Sequence, residues 1–130
     1  MTYEFKILVW AAFWGLFMLG LGAFAPYNRK GYFAWNSGPR DEPFDVGPLA
    51  NRLNRAFRNF METYVFFVVI VVALALEHRS TPLSLWGARL YLSMRVLYLP
   101  LYAMGIRGLR SFVWGFSLAG ILMCAYALFF

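Results

Sequence analysis

Four long apolar stretches, separated by more polar segments, divide this chain. They run from Phe5 to Pro26, from Leu49 to Leu76, from Leu83 to Met104 and from Ser111 to Phe130. Each stretch is long enough to cross a hydrocarbon core of about 30 Å, which takes roughly 20 helical residues. The pattern therefore predicts an all-α integral membrane protein, with residues 1–130 forming a single up-down bundle of four transmembrane helices.

The composition agrees with a membrane protein. Hydrophobic residues make up 62% of the chain and charged residues only 14%, which differs from an ordinary soluble domain. The net charge of +6 comes mostly from arginines in the first and third loops and at the helix ends beside them. Because an up-down arrangement puts these loops on one side, that side is predicted to be cytoplasmic and both termini to face away from it. No nucleic-acid partner is needed to explain the charge.

Few residues in the chain suit metal or disulfide chemistry. The single cysteine, Cys124, lies inside the fourth stretch, so no intrachain disulfide can form. The single histidine, His78, lies in the short second loop, so no metal site is predicted. Two pairs of small residues, Ala11 with Gly15 and Gly115 with Ala119, fit close helix packing.

Polar side chains are concentrated where the second stretch begins. Arg55, Arg58, Asn59 and Glu62 stand at positions i, i+3, i+4 and i+7, so they share one helix face. Ionisable groups in a membrane-embedded helix are costly and usually mark a functional site. This face is therefore the first candidate site.

The third and fourth stretches bring polar residues to the same depth. Arg95, Tyr98 and Tyr102 share one face of the third helix, while Arg110 and Ser111 open the fourth. Arg95 lies roughly 12 Å inside the helix end, at 1.5 Å per residue. It therefore needs a partner, and Glu62 is the only acid expected at a comparable depth.

Two interpretations of this polar cluster follow from the residues alone. The first is an internal ion-pair network that holds the helices together. The second is a ligand site, which the charge count favours because one acid cannot neutralise four arginines. Guanidinium groups suit carboxylates and phosphates, and the remaining carboxylate suits an ammonium. A small zwitterion with excess negative charge fits, and so does an anionic lipid headgroup.

Two sequence blocks resemble a known family. The segment Arg-Ala-Phe-Arg-Asn-Phe-Met-Glu-Thr at 55–63 is similar to the signature of the MAPEG family, the membrane-associated proteins in eicosanoid and glutathione metabolism. The segment 95–106, followed by Arg110 and Ser111, resembles that family's second block. The resemblance implies a homotrimer of four-helix bundles, with glutathione bound between neighbouring subunits near the cytoplasmic side. The short loops resemble those of bacterial members, which implies a bacterial inner membrane.

The resemblance also assigns roles to the candidate residues by position. The glutathione peptide would be held by Arg55, Arg58, Asn59 and Glu62, and the pocket wall completed by Arg95, Tyr98 and Tyr102. Arg110 and Ser111 would stand near the sulfur, where positive charge and hydrogen bonding favour the thiolate. Arg29 would contribute from the adjacent subunit. The implied function is a glutathione S-transferase or peroxidase acting on lipophilic electrophiles that arrive from the lipid.

Some positions depart from the family pattern. Phe57 and Tyr98 stand where other members carry histidine, and Trp114 stands where certain members carry tyrosine. These changes leave the substrate class and the mode of thiol activation open. The alternative function is a non-catalytic scaffold or an accessory subunit that docks other membrane proteins.

Overall fold

The described part of the chain, residues 2–130 of a computed structural model, is 82% helical and contains no strand. The helices are α1 (Tyr3–Phe24), α2 (Tyr32–Ser37), α3 (Gly47–Leu76), α4 (Pro82–Ala103) and α5 (Gly108–Phe129), with a 3₁₀ turn at Ala25–Asn28 after α1. This confirms the all-α prediction. The largest difference in bounds is at α5, which begins a turn before the predicted Ser111.

Three helical segments are long and apolar enough to cross a membrane. They are Tyr3–Asn28, Gly47–Leu76 and Gly108–Phe129, and 18-residue stretches within them have mean hydropathies of 2.0, 2.1 and 1.9. Helix α4 is as long as α1, but its polar residues, Arg89 and Arg95 among them, make it less apolar. The membrane character of the protein is thus supported by three of the four predicted spans.

Helix α1 packs along α3 in the opposite direction through small residues. The buried positions Leu8, Ala11, Gly15 and Met18 recur every three or four residues, which forms one stripe along α1. A Cβ added at Gly15 would lie 3.0 Å from the Phe60 ring. The predicted close packing at Ala11 and Gly15 is therefore present in the fold.

The closest helix approach joins α4 and α5, where two backbones touch. A Cβ added at Gly87 would lie 2.6 Å from the Gly120 carbonyl oxygen, and one added at Gly120 would lie 2.5 Å from the Gly87 carbonyl oxygen. The predicted small-residue contact at Gly115 is wrong within this chain, because a Cβ there meets nothing within 4 Å in residues 2–130. Gly87 and Gly120 lie on different helices. A search for small residues spaced along one helix could therefore not predict their contact.

A buried carboxyl group ties α1 to the start of α4 and to the residue Ser80 before it. The Glu4 side chain is only 1% exposed, and its Oε1 accepts hydrogen bonds from the hydroxyls of Ser80 at 2.6 Å and Ser84 at 2.5 Å. Glu4 also lies in the first turn of α1, where the helix dipole favours negative charge. The predicted first span began at Phe5 and therefore did not include Glu4.

The first loop, between α1 and α3, is folded on itself. Tyr27, Tyr32, Trp35 and Phe44 pack edge to face and at tilted angles, with ring centroids 5.2–5.8 Å apart. The Trp35 indole donates a hydrogen bond to the Glu42 carbonyl oxygen. Aromatic packing and this hydrogen bond thus order a segment that is rich in glycine and proline.

We predict that Gly120→Ala destabilises the protein by about 2 kcal/mol, because the added methyl group must push α4 and α5 apart. The measurement is the free energy of unfolding in detergent micelles. The matched control is Gly115→Ala on the same helix, which should stabilise by up to about 1 kcal/mol through helix propensity alone. Equal effects of the two substitutions would contradict the assigned contact.

We also predict that Glu4→Ala lowers the free energy of unfolding by about 2 kcal/mol, since it removes the buried carboxylate that accepts from the hydroxyls of Ser80 and Ser84. The same detergent unfolding assay measures it. Lys6→Ala removes an exposed charge two residues away and should change stability by less than about 0.5 kcal/mol. If the two variants are equally stable, the hydrogen bonds of Glu4 with Ser80 and Ser84 do not stabilise the fold.

Candidate functional site

A polar cleft of about 390 Å³ opens between α3, α4 and α5 at the end where α3 and α5 begin. Its walls carry Arg55, Arg58, Asn59 and Glu62 from α3, Tyr98 and Tyr102 from α4, and Arg110, Ser111 and Trp114 from α5. All of the predicted site residues except Arg29 and Arg95 therefore line one cleft. The helical spacing explains the grouping, because each helix contributes one polar face.

The cleft carries an excess of positive charge. Three guanidinium groups line it, at Arg55, Arg58 and Arg110, and Glu62 is its single carboxylate. The guanidinium carbons of Arg110 and Arg55 lie 4.6 Å and 6.0 Å from the centroid of the Tyr102 ring. Cation–π attraction to one ring thus draws two like charges together and holds them at the cleft wall.

Arg95 lies behind the wall of the cleft. Its side chain is 1% exposed, and its guanidinium carbon sits 4.5 Å from the Tyr98 ring centroid and 5.7 Å from that of Phe60. Its Nη2 donates a hydrogen bond of 2.8 Å to Asn59 Oδ1, while Nε and Nη1 have no hydrogen-bond partner in residues 2–130. Arg95 is therefore placed to orient a residue of the cleft.

The expected pairing of Arg95 with Glu62 is wrong. The carboxylate of Glu62 belongs to an exposed residue on the open side of α3, where water can hydrate it. Arg95 is enclosed by aromatic rings and reaches the neutral oxygen of Asn59 instead. Two oppositely charged side chains at a similar depth on neighbouring helices need not meet. The direction in which each side chain leaves its helix decides whether they are in contact.

This hydrogen bond determines what Asn59 can offer a ligand. Because its Oδ1 accepts from Arg95, the amide NH₂ group remains as the donor available to the cleft. Asn59 then adds a further hydrogen-bond donor to a cavity already lined by guanidinium groups. The arrangement suits a ligand that is rich in anionic oxygens.

Arg29 does not line the cleft of its own chain. Its Nη1 donates to the Asp45 carbonyl oxygen at 3.4 Å, and its guanidinium lies against Gly47 at the start of α3. Gly47 has φ = +91°, a conformation that an added side chain would strain. Within one chain Arg29 therefore supports the first loop, and its contribution to a neighbouring subunit stays a prediction.

Two features of the site were not among the predicted site residues. Trp114 lines the cleft, and its position one turn after Ser111 on the same face of α5 is the signal that could have included it. A second, apolar groove of about 340 Å³ lies on α5 beside the cleft, lined by Ser111, Phe112, Gly115 and Phe116. Ser111 borders both cavities, so a polar and an apolar ligand could meet at its hydroxyl.

Comparison with known proteins gives one match. The sequence model of the MAPEG family matches residues 7–130. No curated protein and no solved structure matches the chain.

We predict that Arg95 and Asn59 are energetically coupled by at least about 0.5 kcal/mol, as expected for residues that share a buried hydrogen bond. The test is a double-mutant cycle of Arg95→Met and Asn59→Ala on the free energy of unfolding in detergent. Methionine keeps an unbranched apolar stem in place, so the cycle isolates the polar contact.

The control cycle pairs Arg95→Met with Arg79→Gln. Arg79 is exposed and precedes the far end of α4, so the two effects should add within about 0.5 kcal/mol. Additivity in both cycles would show that the hydrogen bond to Asn59 contributes nothing to the fold.

Proposed function

The chain belongs to the MAPEG family, and on that premise we propose that its cleft binds glutathione. The family includes glutathione transferases and peroxidases as well as non-catalytic members. The observation that carries the proposal is the single cleft that gathers three arginines, one carboxylate, an amide, two tyrosines and a serine.

The charges of the ligand complement those of the cleft. Glutathione carries two carboxylates and one ammonium, so it brings one excess negative charge to a cavity with excess positive charge. The arginines and the amide of Asn59 are suited to the carboxylates, and Glu62 is suited to the ammonium. Because Arg95 is buried behind the wall, we assign it the role of holding Asn59 rather than of touching the peptide.

We further propose that Arg110 and Ser111 act on the sulfur. A guanidinium and a hydroxyl next to a thiol stabilise its thiolate, which is the nucleophile. In a transferase reaction the sulfur forms a bond to an electrophilic carbon, and the electron pair departs with the leaving group or an opened ring oxygen. The apolar groove on α5 that begins at Ser111 supports a lipophilic electrophile.

The assembly is part of the same proposal. We propose that α4 crosses the membrane together with the three more apolar helices, because it packs against α5, α1 and α3. We also propose a homotrimer in which a neighbouring subunit, with its Arg29, completes the site. The support is that Arg58, Glu62 and Ser111 line a cleft and are nevertheless exposed in the single chain. The inner membrane of a bacterium, with the cleft on the cytoplasmic side, fits the basic residues around it.

The experiment is a titration of the detergent-purified protein with glutathione, following the heat of binding and the ultraviolet absorbance of the thiolate together. We expect saturable binding and a thiolate signal in the native protein. Arg58→Ala should weaken binding roughly tenfold or more, because a charge-assisted hydrogen bond is lost. Arg110→Ala should remove the thiolate signal while leaving part of the binding.

The control is Arg79→Gln, which removes an exposed arginine at the opposite end of the molecule and should change neither signal. Binding without any thiolate signal would overturn the catalytic assignment of Arg110 and Ser111. Absence of binding at millimolar glutathione, in folded protein, would favour the non-catalytic scaffold or accessory subunit.

A further inference from the structure

A second basic cavity adjoins the cleft. We call it the arginine annex; it measures about 560 Å³ and is lined by Arg52, Arg55, Tyr102, Gly105, Arg107 and Arg110. Arg55, Tyr102 and Arg110 are shared with the cleft, whereas Arg52 and Arg107 line only the annex. The two cavities thus share the Tyr102 ring and its two neighbouring guanidinium groups.

The annex has four guanidinium groups, and no acidic residue of the described chain lines it. Glutathione in the cleft would bring one net negative charge, which is too little to neutralise the arginines of both cavities. Like charges that face one another across a cavity repel, and the repulsion grows as water is excluded. An anion bound in the annex would offset this repulsion between the guanidinium groups.

The start of α5 adds to the positive potential. Arg107 is its N-cap residue, no side chain caps the helix, and its first turn contains no acidic residue. The N-terminus of a helix carries a partial positive charge and free N–H groups, so arginines there are unfavourably placed unless an anion joins them. Free N–H groups and guanidinium groups together are a common arrangement for binding phosphate.

The wall of the annex is held in place by its own contacts. Arg52 Nη1 donates to the Ala103 carbonyl oxygen at 3.2 Å, at the end of α4. Gly105 has φ = +76°, and a Cβ there would come within 3.5 Å of the Arg52 guanidinium carbon. The turn between α4 and α5 therefore passes close beside Arg52.

We propose that the arginine annex binds a phosphate group, held by Arg52, Arg107 and the first turn of α5. Because α5 is long and apolar enough to cross a membrane, we expect its first residues at the level of lipid phosphates. Basic pockets beside membrane-spanning helices are suited to anionic lipid headgroups. The phosphate can come from such a lipid or from a free phosphate compound, and the chemistry of recognition is the same for both.

The test measures binding of two probes to the full-length protein in a zwitterionic detergent, by calorimetry and native mass spectrometry. One probe is inorganic phosphate and the other is short-chain phosphatidylglycerol, with short-chain phosphatidylcholine as the neutral comparison. We expect saturable binding of at least one phosphate probe, weakened roughly tenfold in Arg107→Gln and largely restored in Arg107→Lys. Arg52→Gln should weaken binding of the phosphate probe as well, through an independent contact.

The annex and the cleft are separated by a reciprocal control. Arg58→Ala lies in the cleft only and should leave phosphate binding unchanged, whereas Arg107→Gln should leave glutathione binding within about threefold. Binding of inorganic phosphate identifies a free compound as a sufficient ligand, and binding of the anionic lipid alone identifies a headgroup. Absence of binding by both probes, or binding that Arg107→Gln and Arg52→Gln leave intact, overturns the proposal whatever glutathione does.

Discussion

The site depends on one buried hydrogen bond, between the guanidinium of Arg95 on α4 and the amide oxygen of Asn59 on α3. A guanidinium with 1% exposure is costly inside a membrane protein, and here the rings of Tyr98 and Phe60 and a single amide stabilise it. The bond fixes the amide of Asn59 and joins the two helices that form most of the cleft. The shape of the open cleft therefore depends on a charge that lies behind its wall.

The buried charge at one end of the molecule is opposite in sign to the surplus charge at the other. At one end Glu4 is buried, and one of its carboxylate oxygens accepts hydrogen bonds from the hydroxyls of Ser80 and Ser84. At the other end the arginines outnumber the single carboxylate of Glu62, and the surplus remains exposed to ligands. Between the ends, the backbone contact of Gly87 with Gly120 fixes the distance between α4 and α5, the helices that carry Tyr102 and Arg110. The packed middle of the bundle thus supports a rim that is rich in exposed charge.

Both proposals follow from this surplus of charge. The cleft offers mixed charge, which suits a zwitterionic peptide, whereas the arginine annex offers only positive charge, which suits phosphate. Their shared residues, Arg55, Tyr102 and Arg110, make the two cavities electrostatic neighbours. Occupation of one cavity will change the potential in the other, because the same guanidinium groups face both.

The sequence by itself determined the helical class, three membrane spans and the polar residues on α3, α4 and the start of α5, because these follow from local hydrophobicity and a period of 3.6 residues. It also placed Arg58, Tyr98 and Arg110 at one depth, since depth is a matter of counting along a helix. Only the tertiary structure decided that Arg95 meets Asn59 rather than Glu62, that Gly120 rather than Gly115 is the close contact, and that Arg107 borders a second cavity. These outcomes depend on how each helix is rotated toward its neighbours, and rotation is set by side-chain packing between segments distant in the chain.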